Sequence, residues 1–348
     1  MPFCRLLPQS GTETRNFMKT FPVSTESVLE VNNKYGTVQI TSWDKDSACI
    51  RAEIRASAQN QSKLNKMFDG ISVKITGTGK LLIAQTDFTQ NINTLFESFK
   101  GMTNKVIEYD SKVEINYFIN IPEYMNLRIE NRYGDVYIER NTGDFSLSLS
   151  NGSFKADSPG RKSTLKLSFC DAAITSFRSG RLDASFSEVT ISEIEKMDIK
   201  SVSSKYRINK AGEITIESRR DDFFIDKAES IEGNSYFTDF EIGSLEKSIS
   251  LVTRYGNLDI DNIGTGFESA NINSGFSDLS LVIDPDVSYE VEIRTLNTFL
   301  VLPSKNVKTE QRTLNEDKKE YITTGTIGQD PGTRLLKIDA NRGKIYLK

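Results

Sequence analysis

The sequence predicts an all-β protein: a parallel β-solenoid of about 17 to 18 residues per rung, with a β-rich N-terminal insertion or lobe. Three observations carry this. A pair of apolar residues two places apart recurs as Val136/Ile138, Phe154/Ala156, Ala172/Ile174, Val189/Ile191, Tyr206/Ile208, Phe223/Ile225, Phe240/Ile242, Leu258/Ile260, Leu279/Leu281 and Phe299/Val301, at steps of 18, 18, 17, 17, 17, 17, 18, 21 and 20 residues. Short alternating runs precede the pairs, such as "LRIEN", "LKLSF", "LDASF" and "ISLVT", and Gly, Asn, Ser and Asp cluster between them. Period-2 alternation over about five residues reads as a half-buried strand, and those clusters read as turns. The stretches "NKYGTVQIT", "NRYGDVYIE" and "TRYGNLDID" are the conspicuous copies. Each repeat then reads as two short strands and two bends, which cannot bury an apolar face alone and must stack on its neighbours.

The segments follow in order. Residues 1–16 read as a flexible N-terminal segment and 17–47 as a first strand and first rung. Residues 48–122 carry ordinary alternating strands ("ACIRAEIRA", "ISVKI", "KLLIAQ", "SKVEINYFINIP") around "NQSKLNKMFDG", a short helix with Leu64, Met67 and Phe68 on one face. Within this lobe, residues 91–110 place Leu95, Phe96, Phe99 and Met102 at near-helical spacing, a pattern of packing more than of a partner surface. Residues 123–303 are the repeats, 304–334 a polar hairpin or loop excursion, and 335–348 a terminal rung, with Ile345/Leu347 closing the stack.

Composition removes several function classes. The chain of 348 residues holds 44 Lys and Arg against 48 Asp and Glu, a net charge of -4, so no broad basic surface for nucleic acid is expected. It contains no histidine, which removes Ser-His and Cys-His nucleophile pairs and imidazole zinc sites. Cys4, Cys49 and Cys170 are too few and scattered for a disulfide framework and form no CxxC pair. No run approaches a transmembrane span, and the first residues lack the continuous apolar core of a secretory signal. A signal ahead of Met1 would reverse that last expectation.

Three features invite chemistry. One place before the apolar pair stand Asp135, Asp171, Glu188, Asp222, Asp239 and Asp278, with Ser153, Lys205, Asn257 and Thr298 in the other rungs. Such a stripe could gather Ca²⁺, but turns favour the same residues because their side chains bond nearby backbone, and the sequence favours the turn. Three places before the pair stand Tyr133, Phe169, Phe186, Phe237, Tyr255 and Phe276. Facing out, this ladder could stack on sugars; facing in, it is core, and its phase with the preceding strand favours core. "RRDDFFID" gathers Arg219, Arg220, Asp221 and Asp222 at one bend, a pattern more of a solvated ion-pair surface than of an acid/base pair. No catalytic, cofactor-binding or metal residue is assigned, and no cofactor is expected.

The stretch "FMKTFPVSTESVLEVNNKYGTVQITSW", the strand-rich interval ending in "FINIPEYMNLRIENRYGDVYIE", and the repeated rungs after it resemble the putative-adhesin family. This is a bacterial domain of unknown function, frequent in cell-envelope proteins of Bacteroidetes and related to autotransporter-adhesin-like head domains. The resemblance runs from about Phe17 to the C-terminus. It implies a β-solenoid in the cell envelope or outside the cell, with an unidentified protein or glycan ligand at the cell surface, no nucleic acid and no enzymatic residues. The expected function is a non-enzymatic adhesin or structural interaction module. The alternatives are a carbohydrate-binding or polysaccharide-active solenoid and an envelope-signalling accessory protein.

Overall fold

The computed structural model describes residues 11–89 and 111–348. The pattern at residues 91–110, and Cys4, lie outside the described residues. The chain is all-β, with twenty-two strands and one nine-residue helix among the described residues. It forms two compact units, residues 1–161 and 162–348. The division therefore falls well after the boundary at 122/123 suggested by the change in periodicity. Hydrogen bonding accounts for the difference, because the first recognisable repeats pair with N-terminal strands.

In the first unit, strands β2 (Val28–Lys34) and β3 (Val38–Ser42) lie parallel to β8 (Asn126–Arg132) and β9 (Val136–Arg140), with Val38 opposite Val136 and Ile40 opposite Ile138. Two rungs separated by 98 residues in sequence are thus direct neighbours. Strand β10 (Phe145–Ser158) continues in parallel, with Phe154 opposite Val136. The interval between the two rungs is more than an insertion. Its strands β6 (Leu81–Phe88) and β7 (Ser111–Ile121) pair in parallel with the other edges of β2 and β3, forming a further rung.

Antiparallel strands then cover these outer strands. β5 (Ile71–Gly77) lies on β6, β4 (Ser47–Ala58) on β7, and β1 (Gly11–Pro22) on β4. Residues 11–16, expected to be flexible, belong to β1, because the long edge of β4 offers them a full ladder from Gly11 opposite Ala58 onward. Helix α1 (Gln61–Asp69) starts at Asn60, whose side chain accepts the Lys63 N–H at 2.9 Å, and buries Leu64, Met67 and Phe68.

In the second unit, β11 (Ser163–Ser185), β12 (Glu188–Val202), β13 (Lys205–Arg219), β14 (Asp222–Tyr236) and β15 (Asp239–Arg254) pair in parallel, each with the next. The register puts Val189 opposite Tyr206, then Phe223, then Phe240, so equivalent residues stack on each other. Buried rings of Tyr206, Phe223 and Phe240 lie face to face at 4.4 and 5.2 Å, each contact worth ~1 kcal/mol beyond burial. Burial runs Val189, Ile191, Ile194, Met197, Ile199: the period-2 alternation slips to steps of three at Ile194 and Met197. In β12 the alternation thus breaks twice within one continuous strand, leaving three short alternating runs where the sequence reads as two strands. Several exposed opposite charges pair between neighbouring strands, as in Lys196–Glu213 at 2.7 Å and Lys210–Glu193 at 2.8 Å.

The C-terminal order is a correction. Strands β16 (Leu258–Ile263), β17 (Ser269–Gly275) and β18 (Leu279–Ile283) continue the stack. The next strand in space is not β19 (Tyr289–Val301) but β22 (Leu335–Leu347), with Leu279 opposite Ile345 and Leu281 opposite Leu347. β22 is inserted, and β19 lies on its far side. There Leu300, not Phe299, is opposite Ile345, so Phe299/Val301 is not an inward pair and Phe299 is exposed. A one-residue change of register exchanges the two faces of a strand. The 304–334 segment holds the antiparallel hairpin of β20 (Val307–Asn315) and β21 (Glu320–Ile327), and β21 pairs antiparallel with β19.

Candidate functional site: a column of left-handed corners

One residue per rung has a left-handed backbone. In the first unit these are Tyr35 (φ 66°), Tyr133 (57°) and Asn151 (56°). In the second they are Phe169 (55°), Phe186 (50°), Ser203 (54°), Arg220 (60°), Phe237 (54°), Tyr255 (59°) and Phe276 (55°), with Arg342 (61°) on the inserted strand. This conformation costs a residue with a Cβ roughly 1–2 kcal/mol. It persists because the rungs lock it. Phe186 N–H donates to Val202 O at 3.0 Å, Ser203 N–H to Arg219 O at 3.0 Å and Arg220 N–H to Tyr236 O at 2.9 Å, and the same bond repeats at Phe237, Tyr255 and Phe276.

The left-handed corner throws the side chain out of the core. Phe169 is 58% exposed, Phe186 54% and Phe237 48%. Five of the six ladder residues expected to be core, Phe169, Phe186, Phe237, Tyr255 and Phe276, are therefore on the surface, and Tyr133 is half-buried. Phase with the preceding strand misled, since a left-handed residue breaks the alternation that would have placed the ring inside. The rings stack: Tyr35 on Tyr133 at 5.6 Å, Phe169 on Phe186 at 5.0 Å, Phe237 on Tyr255 at 5.0 Å and Tyr255 on Phe276 at 5.0 Å, with the Arg342 guanidinium 5.0 Å from the Phe276 ring. In the second unit these stacked rings are exposed, whereas Tyr35 and Tyr133 are half-buried.

Beneath the column, the following residue turns inward. Ser187 Oγ accepts the Cys170 N–H at 3.1 Å, Ser204 Oγ the Ser187 N–H at 3.2 Å, and Asp221 Oδ1 the Ser204 N–H at 2.7 Å. Each serine also donates to the carbonyl two residues back in its own rung. Asp221, only 2% exposed, is the one carboxylate in this hydroxyl ladder. It accepts Ser201 Oγ–H at 3.1 Å and the Arg219 N–H at 3.0 Å, yet burial pushes its pKa up to about 6.

The next position is the acidic stripe, and several of its carboxylates serve the neighbouring rung. Asp135 accepts the Ser153 N–H at 2.8 Å, Asp239 the Asn257 N–H at 2.8 Å, and Asp278 the Lys344 N–H at 2.9 Å. Glu188 pairs with Arg207. Among the described residues, no group of three or more carboxylate or cysteine side chains could hold a metal ion.

The Arg219–Asp222 cluster is taken apart by alternation: Asp221 points in, while Arg219, Arg220 and Asp222 are exposed. Cys49 is half-buried and Cys170 is buried, its thiol donating to Ser168 O.

The column has one interruption in the second unit. Ser203 and Arg220 stand where the rungs on either side carry rings, and an open notch of about 480 Å³ lies there, lined by Phe186, Ser203, Lys205, Arg220, Asp171 and Asp222 among others. A second cleft of about 460 Å³ lies beside Tyr236, Tyr255 and Phe276 and is lined by Arg254, Asn273 and Asp339. The notch was legible only as an irregularity in the ladder, because serine and arginine at that position read as ordinary bend residues.

No family profile matches the chain, and no curated protein matches it. Three solved structures are similar to it over nearly their whole lengths. A putative cell adhesion protein from Clostridium sporogenes is 11% identical with a TM-score of 0.21, covering 97% of this chain and 99% of that one. A putative adhesin from Bacteroides fragilis is 12% identical with a TM-score of 0.21, covering 98% and 99%. A putative adhesin from Parabacteroides distasonis is 10% identical with a TM-score of 0.22, covering 96% and 97%. No helix among the described residues is long and apolar enough to cross a membrane.

Proposed function

We propose that the protein is a non-enzymatic, adhesin-like interaction module of the cell envelope or cell surface, whose parallel repeats are turns of a β-solenoid. The observation that carries the reading is the exposed corner column. Stacking the repeats needs only the inward residues, and Ser203 and Arg220 occupy the corner within the same regular ladder. Large rings at exposed left-handed positions are therefore not required for rung formation, and aromatic surfaces of this kind are used for recognition. The separation of Asp221 from Asp222 by alternation supports the non-enzymatic part, since no acid/base pair converges at that bend. The resemblance of the sequence to the putative-adhesin family points the same way.

Protease shaving of intact native cells, followed by an adherence assay, tests the proposal. We expect the protein to be cleaved from intact cells. Cells in which Phe237, Tyr255 and Phe276 are all replaced by Ser should adhere less than wild type to their natural substratum. A protein untouched in intact cells and wholly cytosolic would sink the reading.

A further inference from the structure

Resting on the interaction-module reading, we infer that the notch at Ser203 is a binding site for one neutral hexopyranose ring of a glycan. Where two rings are consecutive in the column they cover each other's faces, as Phe186 and Phe169 do at 5.0 Å and an interplanar angle of 4°. The other face of Phe186 meets the Ser203 rung, which carries no ring at this corner. Arg220 stands one rung beyond Ser203. Two strand spacings of about 4.8 Å put the Phe186 and Arg220 levels about 10 Å apart, room for one flat ring at van der Waals distance from both. The gap is thus a missing member of an aromatic column.

The chemistry of the rim selects the occupant. The Arg220 guanidinium has no hydrogen-bonded or ion-paired partner among the described residues, and neither has the Asp171 or the Asp222 carboxylate. Lys205, whose ammonium lies 5.0 Å from the Phe224 ring, also lines the notch. Donors and acceptors of both signs therefore surround an apolar ring face. A pyranose matches this: its C–H face packs on Phe186, while its hydroxyls accept from Arg220 and Lys205 and donate to Asp171 and Asp222, bonds strengthened by the charges. An aromatic side chain of a partner protein would desolvate the same four groups without pairing them. The lining carries three carboxylates, Asp171, Glu188 and Asp222, against Lys205 and Arg220, and with Glu188 paired to Arg207 no surplus positive charge is left to attract an acidic sugar. The floor competes for nothing, because Ser187 and Ser204 are committed to the internal ladder.

The test uses the full-length protein on an array of neutral and acidic oligosaccharides. Ser203→Phe fills the notch with a ring at a left-handed position that Phe already occupies at 169, 186 and 237, so its fold should be retained, as a thermal melt would verify. We expect wild type to bind neutral glycans, Ser203→Phe and Arg220→Ala each to lose at least tenfold in affinity, and Leu314→Ser, on the β20–β21 hairpin, to bind as wild type. No glycan binding by wild type, or undiminished binding by a folded Ser203→Phe protein, overturns the inference. So does capture of Trp- or Tyr-bearing peptides in the notch in place of glycans. If Ser203→Phe cells adhere normally while the triple Phe237, Tyr255 and Phe276 variant does not, the notch fails and the interaction-module reading stands.

Discussion

Asp221 occupies a place that its neighbours fill with Ser204 and Thr238, and the substitution of a carboxyl for a hydroxyl has a pH signature. Burial raises its pKa from the ordinary 3.8 to about 6, so the folded protein binds the proton more tightly than the unfolded chain. Ionised Asp221 therefore costs stability at neutral pH, and that cost fades as pH falls from about 6 toward 4. Asp221→Ser keeps the acceptor for the Ser204 N–H and restores the repeating ladder. We expect its melting temperature to exceed that of wild type at pH 7 by a few degrees, with the difference shrinking by pH 4.5. A constant difference across that range would refute the account. The same scale explains the corner rings: the left-handed backbone of Phe169 or Phe237 is held by the inter-rung bonds around it, and its exposure follows from that backbone angle rather than from hydropathy.

At the scale of one element, the "NRYGDV" bend has a division of labour. Asn131, buried, donates through Nδ2 to Gly36 O at 2.9 Å and to Asp135 O at 3.1 Å, tying its own bend to the rung below. Tyr133 takes the left-handed angle, and Gly134 allows contact, since a Cβ there would lie 1.9 Å from Gly36 O. Gly134→Ala must push two rungs apart, and we expect a loss on the order of 2 kcal/mol or more in unfolding free energy. Gly79→Ala, whose Cβ would meet nothing nearer than 3.9 Å, should change stability by under ~0.5 kcal/mol in the same denaturant titration. The hairpins have a different task. β20 and β21 beyond β19, like β4 and β5 in the first unit, close a parallel ladder with antiparallel strands. An uncovered edge would template pairing with other chains.

For the molecule as a whole, strand order departs from chain order at one informative place. Because β22 lies between β17/β18 and β19, a chain stopped at residue 334 loses a middle rung rather than an end. We expect such a truncated protein to lose the cooperative melt of its second unit and to show aggregates by light scattering, since two long edges are uncovered at once. An unchanged, monomeric melt would refute the insertion. The repeat itself was legible in sequence. Inward pairs from Val136/Ile138 to Leu279/Leu281 are buried where their spacing placed them, because apolar periodicity is a local record of which face meets the core. Phe299/Val301 was not, since its pattern fits equally a rung in sequence order and an exposed face shifted by one residue.

The sequence by itself determined the all-β class, the length of the repeat and the inward residues of each rung. These depend on alternation and turn chemistry within about twenty residues of chain. Tertiary structure alone decided that the aromatic ladder faces solvent, that Asp221 and Asp222 part company, that β22 enters the stack ahead of β19, and that a notch opens at Ser203. Each of these depends on a backbone angle or a hydrogen-bonded neighbour contributed by another rung, and residue spacing along the chain does not encode which rung that will be.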